Sequence, residues 1–350
     1  MPRFKADELI SFAERLLSSG GFPGGDAGLV AKLLVKADLR GYPGHGVVRV
    51  APYVAWIKDG TINVRERPKV ERESKISAVI EGNHYIGQVA AHMAINLAVK
   101  KAKEHGAGIV CLRHAGHTGR LADYMEMATD AGLIGMGAVS VGSGTTTLYG
   151  GMERTTGTNP MAFGIPARNG GHIILDFATA AMSMGEIQKR AAKKQPIPDS
   201  TILDGYGNPT NDFKSFHGPP RGVFLPFGGY KGSGVALITE ILGGIFTGNG
   251  PGRNWWNKGG HAVNGVFLQA IAVEEFQPLD DFFEKVDEFV SFVKSTRPAP
   301  GFNAIVLPGE HARANEARQI KDGVEIDEGT WEQLKALADE LGIKDLAQPG

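Results

Sequence analysis

From residue 87 onward the chain switches repeatedly between a helical and an extended hydrophobic pattern, and this alternation constrains its fold more than any other feature. "GQVAAHMAINLAVKKAKEHG" reads as helix, "AGIVCL" as a buried strand, "RLADYMEMATDAG" as helix and "LIGMGAVSV" as strand. "HIILDFA" at 172–178 is extended and runs into helical "AAMSMGEIQKRAAKK". Further on, "GSGVALITEILGGIFTG" reads as helix, "GVFLQAIAV" at 265–273 as strand and "LDDFFEKVDEFVSFVKSTR" as an amphipathic helix. Strands interleaved with helices predict an α/β (α+β) sheet domain.

The ends of the chain are different. In "ADELISFAERLLSSGGF" Leu9, Phe12 and Leu16 share one stripe, and a Gly pair stops the helix. "DAGLVAKLLVKADLRG" and "HGVVRVAPYVAWIKDG" repeat the pattern up to Gly41 and Gly60, and a strand-like "ISAVIEG" follows at 76–82. The Pro- and Gly-rich stretch 196–230 reads as a long ordered loop, and the tail from about 309 is polar and mostly helical. The expected organisation is a helical lobe over 1–75, completed by C-terminal helices from about 278–350, with a mixed sheet domain over 76–277.

At 350 residues the chain can bury a sizeable core. Its formal net charge of −1, with Lys and Arg spread along the sequence, argues against a nucleic-acid partner or a basic membrane anchor. The single cysteine, Cys111, leaves no internal disulfide and sits in the apolar run "GIVCL", where it reads as a buried hydrophobe. No apolar leader precedes the first helix, and the longest apolar segment carries Glu240. The expectation is a cytoplasmic protein.

Several stretches carry possible chemistry. In "GHGVVRV" His45 and Arg49 stand one turn apart with Tyr53 continuing the face, a combination able to move a proton and grip a carboxylate. A capping histidine beside a solvated arginine is the plainer alternative. "CLRHAGHTGRLADY" sets His114 and His117 three apart among Arg113 and Arg120. That spacing can serve a metal, but no further ligand falls at a zinc spacing, and His117 at a helix mouth suits anion binding or proton transfer better. "GTNPMAFGIP" is extended and turn-rich, and the strand ending at Asp176 enters a turn of small residues before a helix. "GGYKGSG" lacks the Walker spacing, although Lys231 can still meet a phosphate. Neither G-x-G-x-x-G nor G-x-S-x-G occurs, which leaves the usual Rossmann and α/β-hydrolase readings without their signatures.

Taken in order, "ADLRGYPGHGVVRVAPYVAWIKDGTINV", "GHTGRLADY", "GTNPMAFGIP", "LDFATAAMSMGEI", "GGYKGSGVALITEILGGIFTG" and "LPGE" resemble the type-2 malate/L-lactate dehydrogenase family across nearly the whole chain. The H-x-G-R form around His117 is most similar to its hydroxycarboxylate dehydrogenase branch. The resemblance implies a non-Rossmann sheet domain that binds cofactor, and hydride transfer between NAD or NADP and a small 2-hydroxy acid or 2-oxo acid. It implies His45 as proton donor, Arg49 as a carboxylate anchor and His117 as a second acid/base group. It further implies cofactor contacts from Asp176, Phe177, Ala178, Thr179, Ala180, Ala181 and Met182, from Tyr230 and Lys231, from Pro308, Gly309 and Glu310, and from Ser140 and Asn159. A homodimer with its site near the subunit interface is implied as well. The chain departs from the family at Gly44, where serine is usual, at Ala180, where serine is common, and at Val139-Ser140-Val141, where Thr-Asn-Ser is usual. Reduction of a cyclic imino acid on the same scaffold, a metal-dependent lyase or hydrolase using His114 and His117, and a sensor without turnover are the alternatives.

Overall fold

The computed structural model describes residues 1–256 and 263–348. Its centre is a seven-stranded mixed sheet in the order β2-β3-β4-β11-β5-β6-β7. The strands are β2 (Lys69–Glu73), β3 (Ser77–Glu81), β4 (Ala107–Ala115), β5 (Leu133–Val141), β6 (Met161–Ile165), β7 (Ile173–Phe177) and β11 (Asn264–Ala272). Only β3 and β4 run parallel, joined by the crossover helix α4 (Gly87–His105), and every other neighbouring pair is antiparallel. This is an α/β fold unlike the doubly wound parallel sheet.

The sequence pattern explains the layers. Helix α4 turns Ala90, Ala91, Ala94, Ile95 and Ala98 towards the sheet, and small residues there let helix and strands approach closely. With α5 (Ala122–Asp130) it buries Val110, Leu112, Val266 and Leu268 on one sheet face. The opposite face meets α8 (Tyr230–Glu240), which continues into a π-helical segment, Ile241–Phe246.

A second core lies outside the sheet. Helices α1 (Ala6–Ser19), α2 (Asp26–Leu39) and α3 (Val50–Lys58) join α11 (Glu328–Glu340) around Leu9, Phe12, Leu16, Leu34, Tyr53 and Trp331. The stripe expected from Leu9, Phe12 and Leu16 is fully buried here. Helix α10 (Glu310–Asp322) also packs on α2, whereas α9 (Leu279–Ser295) has no buried residue.

Three local expectations are corrected. The stretch from His45 is not one helix: Pro43–His45 and Val47–Arg49 form separate 3₁₀ turns before α3, because the Gly46 backbone is extended between them. The helix after Asp176 starts only at Met184, as α6 (Met184–Ala192), where the Ser183 hydroxyl accepts from Glu186 N–H as its N-cap. The expected loop 196–230 contains a small antiparallel sheet, β8 (Ile202–Leu203), β9 (Pro209–Thr210) and β10 (Val223–Phe224), with α7 (Phe213–His217). Ile187, Ile197, Ile202, Phe216 and Phe224 give it a core of its own.

Candidate active site

The strand registers bring most of the candidate residues to one end of the sheet. Asn264, the first residue of β11, lies opposite both Ala115 and Val141, the last residues of β4 and β5. Met161 at the start of β6 pairs with Ala138 and with Phe177, the last residue of β7. His117, the loop after Val141 and the turn after Phe177 therefore leave the same edge, and the helical lobe packs beside it.

The lobe contributes His45. Its loop is held by buried Asp38, whose Oδ2 accepts the Val47 N–H at 2.8 Å. A Cβ on Gly46 would stand 1.9 Å from Asp38 Oδ1, so this close approach needs glycine. Burial lifts the Asp38 carboxyl to about 8 in spite of the Val47 hydrogen bond. Arg49 donates from Nε to Gly44 O at 2.7 Å, which leaves its terminal nitrogens for other partners. His45 keeps a partly open edge. Burial, reinforced by the Arg49 and Arg120 guanidiniums, nevertheless holds its pKa down at about 3, so the ring is neutral at physiological pH.

His117 meets this loop from the sheet side. The two imidazoles are nearly parallel, with centroids 5.4 Å apart and planes 7° apart. His117 Nδ1 lies 2.6 Å from Tyr53 Oη, and burial raises the Tyr53 pKa so that the phenol keeps its proton. Gln88, buried at the start of α4, also hydrogen-bonds Tyr53. Arg120 is 5 % exposed, stacks over the Tyr42 ring at 4.9 Å and reaches Asp123 at 3.3 Å.

Four buried polar atoms in this neighbourhood have no partner among the described residues: His45 Nδ1, Gln88 Oε1, and Arg120 Nε and Nη1. Buried polar groups are nearly always satisfied. A cluster of exceptions around two stacked histidines is what a site awaiting a polar, anionic ligand looks like.

The segments expected at the cofactor also gather. Asp176 Oδ2 accepts from Ala122 N–H at 2.8 Å at the start of α5, and burial pushes its pKa up to about 6. Thr179 donates to Thr158 O, Phe227 N–H donates to Thr179 O and Ala181 N–H to Leu225 O. Phe177 meets the Phe227 ring edge-on at 5.4 Å. Ala180 is buried against Pro226, while Ala178 and Met182 keep partial exposure. Two left-handed glycines, Gly228 and Gly229, then lead to Tyr230 and Lys231, both exposed at the start of α8. Pro308 O accepts from Ile174 N–H, Gly309 has φ 91°, and the Glu310 carboxylate accepts from Leu307 N–H. The first and last of these segments thus border β7, and Phe227, three residues before Tyr230, meets its end.

Ser140 and Asn159 lie at the neighbouring strand ends, Asn159 directly after the Thr158 carbonyl that Thr179 bonds. Both are fully buried and donate to the carboxylate of Glu240, which also accepts from Gly252 N–H at 2.6 Å. Asn159 Oδ1 accepts from Val141 N–H. This network ties α8 to the strand ends. Nothing in the local sequence pattern singled out Glu240, Asp38 or Gln88; Glu240 and Gln88 act on residues distant in sequence, and Asp38 acts across a turn on Val47.

His114 and His117 diverge. His114 pairs through Nδ1 with the Glu81 carboxylate and stacks on His84, away from the Tyr53–His117 contact. Among the described residues no three His, Cys, Asp or Glu side chains converge as metal ligands. Cys111 is buried and its thiol is pushed up to about 11.

A cavity of about 490 Å³ opens beside the loop that follows β5, lined by Ser143, Arg154, Met184, His217, Arg221 and Trp256 among others. Burial and the neighbouring Arg221 guanidinium lower the Arg154 pKa.

Set beside known proteins, the sequence matches the malate/L-lactate dehydrogenase family over residues 4–335. It is 34% identical to malate dehydrogenase of Pyrococcus horikoshii, over 98% of this chain and 97% of the relative. It is 37% identical to L-sulfolactate dehydrogenase of Methanocaldococcus jannaschii, with 94% of each chain covered. The solved structure of the sulfolactate dehydrogenase superposes with a TM-score of 0.88, covering 97% of this chain and 98% of that one at 35% identity. The Δ1-piperideine-2-carboxylate reductase of Pseudomonas syringae pv. tomato superposes with a TM-score of 0.85 at 25% identity, covering 97% and 100%.

Proposed function

The chain belongs to the malate/L-lactate dehydrogenase family, and from that premise we propose that its stacked His45–His117 pair is the proton-transfer centre of a NAD(P)-dependent 2-hydroxy acid dehydrogenase. It is an oxidoreductase that interconverts a small 2-hydroxy acid and the corresponding 2-oxo acid. The observation that carries the assignment to these residues is the set of unpartnered buried atoms on His45, Gln88 and Arg120.

Arg49 holds the substrate carboxylate through its free terminal nitrogens. Burial does most to keep His45 neutral, and the arriving anion offsets the guanidinium charge that adds to it, so the His45 pKa rises when substrate binds. His45 is thereby made ready to protonate the alkoxide that forms at C2. Tyr53 stays protonated and donates to His117 Nδ1, which directs the His117 Nε2–H into the site. Such acid catalysis contributes on the order of 10²–10⁴ in rate.

The residues present suit a nicotinamide cofactor. The unpartnered Gln88 Oε1 is the acceptor that a carboxamide N–H needs. Asp176–Met182, Tyr230–Lys231 and Pro308–Glu310 would hold the cofactor along the edge of β7, and the Arg154–Arg221 cavity would face its phosphates. When bound, the nicotinamide supplies the hydride to C2 and takes it back in the reverse direction.

The working form is a cytoplasmic homodimer on this reading. Leu237, Ile238, Ile241, Ile245 and Phe246 of α8 and its π segment are 39–60 % exposed, and a helix apolar on all sides is normally covered. No helix among the described residues is long and apolar enough to cross a membrane.

The test follows nicotinamide absorbance with NADH and with NADPH over a panel of 2-oxo acids and one cyclic 2-imino carboxylate. Turnover of an oxo acid that collapses in His45→Ala supports the assignment. Undiminished turnover in that variant removes His45 from the chemistry. Turnover of the imino acid alone moves the reaction to C=N, the activity named for the Pseudomonas relative.

A further inference from the structure

We infer that the cavity beside the loop after β5 is a second anion site, built by Arg154, Arg221 and Trp256 for the dianion of a phosphate monoester. Neither His45 nor His117 lines it, and the dehydrogenase reading enters only in naming one source of that phosphate, the 2′-phosphate of NADP.

Three separate stretches of chain build the wall. Thr146 pairs with both Thr156 and Phe224, which sets the runs around 146, 156 and 224 side by side. Arg154 lies just before the second run, and Arg221 just before β10, so the pairing delivers both guanidiniums to one cavity. Gly222 fixes the approach of Arg221. Its N–H donates to Phe216 O at 2.8 Å, and a Cβ there would meet Leu203 O at 2.0 Å. Trp256 packs on the loop itself. A Cβ on Gly144 would stand 2.5 Å from its Cε2, so bare backbone lets the indole lie close.

The wall carries positive charge and no acid. Its lining includes no Asp or Glu, and neither arginine makes an ion pair or hydrogen bond with a described residue. Burial, and then the Arg221 guanidinium, lower the Arg154 pKa, as expected of cations brought together without a counter-ion. Trp256 Nε1 and Thr145 Oγ1 are buried and have no partner among the described residues. A buried indole N–H normally finds an acceptor, and it can only donate. Met184 adds the positive end of α6.

Two guanidiniums, an indole N–H and a hydroxyl ask for an acceptor with two charges and more than two oxygens. A carboxylate falls short in both respects, and the pyrophosphate of a dinucleotide carries a single charge on each phosphorus. A phosphate monoester carries about −1.5 to −2 near pH 7 on three acceptor oxygens. The cavity, about 490 Å³, has the size of a small-molecule site and exceeds what a bare phosphate fills. Phe216, His217 and Trp256 add rings to its lining, so the phosphate arrives on a larger, flat group such as a nucleoside.

The experiment titrates the full chain with 2′-AMP, inorganic phosphate and adenosine by calorimetry, with tryptophan fluorescence as a second readout. The parent is expected to bind 2′-AMP roughly 10²-fold tighter than adenosine, the value of about two charge-assisted hydrogen bonds. Arg154→Gln with Arg221→Gln should erase that difference, and the two lysine replacements, which keep the charge, should recover part of it. Trp256→Phe should abolish the fluorescence change and weaken 2′-AMP by about tenfold. NADPH and NADH then identify the source. NADPH held more tightly, and displaced by inorganic phosphate where NADH is not, makes the 2′-phosphate the occupant. Equal binding of the two cofactors, with 2′-AMP bound beside either, makes the occupant a free phosphate ester. A parent that does not distinguish 2′-AMP from adenosine, or a difference that survives both glutamine replacements, would overturn the inference. Should the double variant fail to fold, Arg221→Gln alone, at an exposed position, still decides. A chain that binds 2′-AMP through these arginines yet turns over no oxo or imino acid would refute the dehydrogenase reading and not this one.

Discussion

Replacing Gly46 with alanine should disable the site without touching any group that meets substrate. A Cβ there falls 1.9 Å from Asp38 Oδ1, 2.2 Å from its Cγ and 2.3 Å from Oδ2, whereas real Cβ contacts essentially never come under 3.0 Å. Something must retreat by at least the difference, 3.0 − 1.9 = 1.1 Å. Asp38 is buried and accepts the Val47 N–H, so it has little freedom to yield. The other movable part is the pair of short turns carrying His45 and Arg49. Crowding of this kind costs about 1–3 kcal/mol of stability, and loss of the Asp38–Val47 hydrogen bond adds about 1 kcal/mol. A displacement of about 1 Å at a catalytic group costs on the order of 10² in rate. Gly46→Ala should therefore unfold at lower denaturant and lose about 10² in kcat/KM. Asp38→Ala removes the obstructing carboxyl, so the double variant should lie within about tenfold of Asp38→Ala alone, a clear departure from additivity. A Gly46→Ala protein with parental stability and turnover, or a double variant whose losses are the sum of the singles, would refute the reasoning.

Two further outcomes are expected. Asp38 has its pKa raised to about 8 in the folded protein, against the ordinary aspartate value of 3.8. Between those values the folded state holds a proton that the unfolded state has lost, so its contribution to stability falls as pH rises through the window. Denaturant midpoints of the parent relative to Asp38→Asn should decline from about pH 4 to 8, and a constant difference would contradict the burial argument. On the opposite face, Ile241→Glu with Phe246→Glu should convert a dimer into monomers in sedimentation, since both side chains are exposed on the apolar helix. A parent that sediments as a monomer would remove the dimer proposal.

Much of the architecture was legible because its elements are long and periodic. The alanine-rich face of α4 and the apolar runs of β4, β5 and β11 state their periods over nine or more residues. Strand β2, "KVERE", gave no such signal, because an edge strand exposed along its whole length has no reason to alternate. The small sheet at 202–224 was hidden for a different reason. Its strands are two residues each, too short for any period, and are held by the core around Phe216 and Phe224. At the site, His45, Arg49 and Tyr53 could be read from the sequence as a local group, though not as the single helix face expected, because extended Gly46 splits the stretch. The meeting of Tyr53 with His117 could not, since 64 residues separate them. Arg120 was visible as a charged neighbour of His117, but the lack of an acceptor for its Nε and Nη1 is a property of burial, which appears only when the chain is folded.

The division of the site between two bodies has a bearing on how the protein fails. His45, Arg49 and Tyr53 belong to the helical lobe, whereas His117, Arg120 and Asp176 belong to the sheet. The seam is closed by Lys36 and Arg40 of the lobe gripping Glu126 of α5, partly away from water. Each body can keep its own core intact while the seam slackens, and the histidines would then part before either core melts. Warming, salt or a substitution at Lys36 should thus silence the enzyme while its circular dichroism still reports a folded protein. Selection on the seam can adjust how firmly the two halves of the reaction are held together, and so adapt the catalyst to a new temperature without altering one atom that touches the substrate.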